Sequence, residues 1–373
     1  MIPSGVRTLP AAASLPLVLV DTLLRPLQDL RISVTDRCNF RCTYCMPREA
    51  FGPDHVYLPH AALLSFEEVT RVARLFVQAG VTKLRLTGGE PLLRKGIEHL
   101  IGQLAELRTP EGQPVELTMT TNGVLLPKKA QTLKDAGLNR LTISLDALED
   151  ATFQRMADVD WRVEDVLAGI AAAQQAGFER LKVNMVVQRG VNDQEVLPMA
   201  QYFRGRGIQL RFIEYMDVGN TNGWRMDHVL PSSEVRAHIH AQFPLEAVDR
   251  QRPDATAQTW RYVDGAGDIG FISSVTEAFC GDCTRMRLST DGQLYTCLFA
   301  HQGTDLKTPL RAGANDTELG QLIAGVWTQR ADRYSERRAA HQGSRIIPLV
   351  PVHADVPEQQ PARPRIEMSY IGG

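Results

Sequence analysis

The chain has 373 residues, which allows two or three domains, or one barrel with an appendage. Its apolar content of 43% and charged content of 23% are those of an ordinary globular protein. Its formal net charge of −2 weighs against a polybasic nucleic-acid binder but leaves room for a local basic site.

Residues 1–24 read as a variable leader. The stretch from Leu9 to Val20 is apolar but broken by Pro10 and Pro16, with no convincing cleavage site. No apolar run reaches the length of a membrane span, so no membrane association is expected.

Residues 25–217 carry a weak repeat. Gly80, Gly137, Gly177 and, more loosely, Gly207 each follow a helical stretch and precede a strand. A glycine there reads as a left-handed helix cap. Ser65 and Glu68 form a capping box at one helix start. Alternating strands and helices imply right-handed βα units and a parallel sheet.

The strands themselves alternate. Arg31, Arg85, Thr120, Ser144, Lys182 and Arg211 lie on one parity, and Ile32, Leu86, Met119, Ile143, Val183 and Leu210 on the other. Strands covered on both faces are normally continuous apolar runs. One polar parity therefore points to an α/β fold of the partial (β/α)6, TIM-like type, with apolar side chains under the helices and polar ones in the lumen. Residues 218–340 lose the βα rhythm and read as a C-terminal domain. Residues 341–373 read as a strap, with five prolines before position 366, ending in Gly372-Gly373.

Six cysteines fall in two triads, Cys38, Cys42 and Cys45, then Cys280, Cys283 and Cys297. Disulfide frameworks spread cysteines along short secreted chains, so tight triads in a long chain suggest metal and a reducing, cytoplasmic compartment. The first triad has no fourth ligand nearby for a structural zinc site. Three thiolates on a four-iron cluster would leave one iron open. The second triad reads two ways from spacing alone: a Cys3His zinc site with His301, or a second iron–sulfur cluster. Arg285 and Arg287, at period two beside it, suit phosphate oxygens.

The Cys-x3-Cys-x2-Cys spacing with Tyr44, together with Thr87-Gly88-Gly89-Glu90-Pro91 after the second strand, resembles the radical S-adenosylmethionine (SAM) superfamily. Further segments resemble its GTP 3′,8-cyclase family: Leu30 to Cys42, Leu84 to Pro91, Thr120 to Gly123, Lys182 to Asn184, Leu210 to Met216, Phe279 to Arg287, and the terminal Ser369 to Gly373. That resemblance implies conversion of GTP to (8S)-3′,8-cyclo-7,8-dihydroguanosine 5′-triphosphate by a lyase, the first step of molybdenum-cofactor biosynthesis. It implies SAM and two [4Fe–4S] clusters as cofactors, one on each triad, which makes His301 a bystander.

The resemblance also places SAM on Tyr44, Gly89, Ser144 and Met216. It places GTP on Arg31, Arg85, Thr120, Lys182, Arg285, Met286 and Arg287, and gives Arg285, Arg287, Gly372 and Gly373 a part in catalysis. It implies an electron donor, a homodimer, and transfer of product to cyclic pyranopterin monophosphate synthase.

Overall fold

The computed structural model describes residues 18–250, 255–342 and 366–372. Most of the leader, most of the proline-rich strap and Gly373 lie outside the described residues.

The first half runs β1 (Asp29–Ser33), α1 (Phe66–Gln78), β2 (Lys83–Thr87), α2 (Ile97–Ala105), β3 (Glu116–Thr121), α3 (Leu126–Asp135), β4 (Arg140–Ser144), α4 (Asp150–Ala157), α5 (Val163–Gln175), β5 (Lys182–Val187), α6 (Val196–Phe203) and β6 (Gln209–Glu214). The second runs α7 (Ser232–Gln242), β7 (Leu245–Ala247), β8 (Gln258–Tyr262), β9 (Asp268–Ile272), β10 (Arg285–Leu288), β11 (Gln293–Tyr295), β12 (Thr304–Asp305), α8 (Lys307–Arg311), α9 (Asp316–Thr328), α10 (Tyr334–Gln342) and α11 (Met368–Ile371).

Strands β1 to β6 pair in parallel and in sequence order, the partial barrel that the βα rhythm implied. The C-terminal segment extends both edges of this one sheet. β10 pairs in parallel with β1, and β9 in parallel with β6. β11 and β12 continue antiparallel beyond β10, and β8 and β7 beyond β9. The sheet order ends at β12 and β7 without joining them, so the barrel stays open among the described strands.

Successive side chains of a strand face opposite sides. Ile32, Leu86, Met119, Ile143, Val183 and Leu210 are buried in one continuous core beneath the helices. Arg31, Arg85, Thr120, Ser144, Lys182 and Arg211 line a cavity on the other face. Gly80, Gly137 and Gly177 directly follow the C-caps of α1, α3 and α5 with φ of +106°, +100° and +80°, the left-handed caps that the repeat implied, whereas Gly207, at +70°, lies past the end of α6 in the turn before β6. Ser65 and Glu68 form the capping box reciprocally, at 3.1 and 2.7 Å.

The fold begins before residue 24. Leu19 and Leu27 are buried and joined by a backbone hydrogen bond of 2.8 Å, and a bridge links Val20 with Pro26. The apolar composition of the leader concealed this small turn, whose only charged side chain before Arg25, that of Asp21, is folded inward.

Candidate active site

Both cysteine triads line one cavity of about 1240 Å³. The first follows the C-terminal end of β1; in the second, Cys280 and Cys283 precede the N-terminal end of β10 and Cys297 follows β11, which runs antiparallel to it. Because β1 and β10 are parallel and in register, the triads sit at opposite ends of one strand pair. The inward side chains of the strands line the space between.

Those side chains form two rows across the sheet. One row reads Arg285, Asp29, Lys83, Glu116, with alternating charge. Asp29 pairs with Lys83 at 2.9 Å, and Glu116 with Arg140 at 2.7 Å. The other row sets Arg287, Arg31 and Arg85 abreast. Like charges on neighbouring strands repel, and these arginines pair with no carboxylate among the described residues. Arg85 donates to Thr120 Oγ1 at 3.0 Å, while the Nε atoms of Arg31 and Arg85 are buried without a partner.

The electrostatics follow from that crowding. Burial, with Arg287 and Arg85 alongside, holds Arg31 well below the ordinary arginine range. Burial and then Arg285 bring Arg287 down to about 10. Burial, then Arg211 and three further cations, bring Lys182 down to about 6. Arginine keeps its proton near neutrality, so the row presents an unmet demand for an anion. A polyanion such as a triphosphate would meet that demand with forked contacts.

The first triad is set by close backbone packing. Gly89 N donates to Thr35 O at 2.8 Å, and Glu90 N to Arg37 O at 2.8 Å. A Cβ on Gly89 would lie 2.2 Å from Arg37 O, so only glycine permits the approach that carries the loop to Cys38. Buried Glu90 accepts from Thr121 Oγ1, Asn122 N and Leu92 N at 2.7, 2.8 and 3.0 Å, tying the loops after β2 and β3 together. Burial and Glu90 push the Cys38 thiol up to about 12, and burial with nearby negative groups raises Cys42 and Cys45 further. Three thiolates therefore need a cationic centre among them, which suits an iron–sulfur cluster. Tyr44, Gly89, Ser144 and Met216 line the same cavity. Tyr44 donates to Asp146 at 2.8 Å.

The second triad has a different electrostatic setting. Burial opposes ionisation of Cys283, but Arg285 and Arg330 outweigh it and bring the thiol down to about 6. Burial pushes Cys297 up to about 11. His301 is exposed and does not line the cavity. Among the described residues no three His, Cys, Asp or Glu side chains converge as a single-ion site would require.

Met286 has the opposite parity from Arg285 and Arg287, and its side chain is fully buried in the hydrophobic core, away from the cavity, so any contact it makes with a nucleotide would be through its backbone. Lys83, Arg140 and Arg211 line the cavity and had not been singled out as substrate contacts. Their signal was parity: each lies on the inward face of its strand, Lys83 two places before Arg85. Gly372 lies against β2, where a Cβ would come within 2.1 Å of Thr87 Cγ2, and Met368 lines the cavity. Gly373, the other tail residue, lies outside the described residues.

Residues 32–203 match the family described as the radical SAM superfamily, and residues 208–336 match Molybdenum Cofactor Synthesis C. A GTP 3′,8-cyclase of Acidothermus cellulolyticus is 50% identical over 95% of this chain and 98% of its own length. One from Xanthomonas campestris pv. campestris is 52% identical over 85% and 91%, and one from Staphylococcus saprophyticus 44% identical over 95% and 99%. In fold, the chain is similar to Streptococcus suis SuiB bound to precursor peptide SuiA. The TM-score is 0.56, with 15% identity over 84% of this chain and 67% of that one. By this identity over nearly the whole of each relative, the chain belongs to the GTP 3′,8-cyclase family of the radical SAM superfamily.

Proposed function

We propose that the chain is a GTP 3′,8-cyclase, converting GTP to (8S)-3′,8-cyclo-7,8-dihydroguanosine 5′-triphosphate in the first step of molybdenum-cofactor biosynthesis. It is a radical SAM enzyme that uses SAM with an iron–sulfur cluster. The observation that carries the substrate reading is the row Arg287, Arg31 and Arg85, which lies between the two triads and is short of an anion.

The row binds the triphosphate, with Lys182 and Arg211 beside it on the same face. Cys38, Cys42 and Cys45 would hold one cluster, with Tyr44, Gly89, Ser144 and Met216 around SAM. Cys280, Cys283 and Cys297 would hold a second, facing the guanine. The bound cofactors supply one-electron chemistry at the ribose C3′–H bond. The chain holds ribose and base so that C3′ can bond to C8. Arg285 and Arg287 neutralise the nucleotide's charge as the bond forms.

The net change takes a hydrogen atom from C3′, which the adenosyl group supplied by SAM would accept, forms a C3′–C8 bond, and needs an electron and a proton at the base. This reading classes the enzyme as a lyase and gives it an external electron donor. It acts as a homodimer and passes its product to cyclic pyranopterin monophosphate synthase. The test is an anaerobic incubation of the reconstituted protein with GTP, SAM and dithionite. The cyclised nucleotide, with about eight irons per chain for two four-iron clusters, is expected. No GTP-dependent SAM cleavage would overturn the reading.

A further inference from the structure

We propose that Arg330 is a positioning residue for the second cysteine triad. Together with Asp21 and Arg25 it fixes the triad's backbone, and its bond to the Cys283 sulfur raises the reduction potential of the cluster held there. The proposal rests on the reading of Cys280, Cys283 and Cys297 as cluster ligands.

Arg330 follows α9, and Asp21 and Arg25 precede β1. All three side chains are almost wholly buried. Asp21 Oδ2 accepts from Arg25 Nε at 2.6 Å and from Arg330 Nη1 at 3.2 Å. Other donors of the two arginines reach the triad, although Arg25 Nη1 also donates to Asp332 O at 2.8 Å. Arg25 Nη1 donates to Cys280 O at 2.7 Å. Arg330 Nη1 donates to Cys283 O at 2.7 Å, its Nη2 to Cys283 Sγ at 3.1 Å, and its Nε to Thr296 O, the residue before Cys297, at 3.1 Å. One ion trio thus holds the main chain at or beside all three cysteines.

Trp327 fixes the fork from behind. Its ring lies 4.6 Å from the Arg330 guanidinium, and its Nε1 donates to Arg25 O at 3.2 Å. The fork geometry is what an arginine supplies and a lysine does not.

Buried ion groups are a poor source of net stability, because their desolvation offsets their attraction. Two arginines share the Asp21 carboxylate, which leaves positive charge facing the thiolates. Asp332, at 3.4 Å from Arg330 Nε, is partly exposed and offsets it only in part. Hydrogen bonds to cluster sulfurs and nearby positive charge favour the reduced, more negative cluster. A mere staple between the chain's two ends would need no N–H bond to sulfur.

The test is an anaerobic redox titration followed by electron paramagnetic resonance, on full-length reconstituted protein. Iron is counted first in the wild type. About four irons per chain would sink the two-cluster reading, and this proposal with it, whatever the variants do. Given about eight, the titration compares Arg330, Arg330→Lys and Arg330→Gln in a background where Cys38, Cys42 and Cys45 are alanine, so that only the second triad contributes. Arg330→Gln is expected to shift the midpoint to more negative potential, with Arg330→Lys in between. Loss of the second-triad iron from an Arg330→Gln protein with unchanged circular dichroism also supports the role. An unchanged midpoint, signal and iron content in Arg330→Gln would overturn it. Should Arg330→Gln fail to fold, Arg330→Lys decides: a wild-type midpoint there overturns the proposal.

Discussion

The Arg287 guanidinium donates to the carbonyl of Gly372. One residue of the arginine row therefore also grips the chain's own tail, and the tail sits on the same chain's barrel. Ile371 is fully buried beside it, and the Ile366 amide donates to Ala300 O at 3.0 Å.

Gly372→Ala tests that docking. Gly372 has φ of +76°, and a Cβ there would meet the Thr87 methyl at 2.1 Å. The left-handed backbone alone costs an alanine about 1–2 kcal/mol. Cyclisation is expected to fall by about tenfold or more, with iron content unchanged. Adding Thr87→Ser removes the opposing methyl and should recover part of the loss. Full activity in Gly372→Ala would separate the tail from turnover.

Glu367 anchors the same tail. Its carboxylate accepts from Asn220 N at 3.0 Å and Thr221 Oγ1 at 3.2 Å. Each such bond is worth about 1 kcal/mol, so Glu367→Ala should lower cyclisation at saturating GTP roughly fivefold or more. Protease cleavage near the C terminus should become faster, and iron and SAM binding should stay as in the wild type. An unchanged cleavage rate would show that the tail is held elsewhere.

With the triphosphate seated as proposed, Lys182 should give GTP binding a pH dependence. Its pKa is brought to about 6 in the free cavity, and a bound triphosphate raises it. Binding therefore takes up a proton above about pH 6, and this contribution weakens affinity as pH rises from there toward the bound-state pKa. Titration calorimetry from pH 6 to 8.5 should show it, with proton uptake measured from buffer dependence. Lys182→Arg keeps its charge throughout, so its profile should lack this component. Parallel profiles for the two proteins would refute the assignment.

Met286 and Arg287 are neighbours in sequence and differ in consequence. Met286→Ala leaves a hole in the core and should cost about 2–5 kcal/mol of stability. Nucleotide affinity in the folded fraction should change little. Arg287→Ala removes a charged donor and should weaken GTP binding by about 10- to 100-fold, at about 1.5–3 kcal/mol for such a bond. Melting curves and calorimetry on both variants separate the two losses.

Much of the barrel was legible because a strand shows its two faces as alternating residues. Arg31, Arg85 and Lys182 announced an inward polar face, and Gly80, Gly137 and Gly177 marked the helix ends. The resemblance gave Met286 as a contact, and only the structure shows its side chain turned into the core. What stayed hidden was pairing across the chain. Nothing local to Arg285 says that β10 lies against β1, which is what sets three arginines abreast. Nothing near Asp21 points to Arg330. The polar lumen was thus readable residue by residue, whereas its charge pattern depended on register.

The pairing of β10 with β1 also constrains how the chain is made. The inward face of β1 and one of its edges emerge from the ribosome early, while the strand that covers that edge is translated in the last quarter of the sequence. Until then a nascent barrel carries an unpaired parallel edge beside Arg31 and Arg85, the kind of exposed edge that recruits unwanted strands. β10, and Cys297 beyond it, must therefore be made before the cavity can close around both triads.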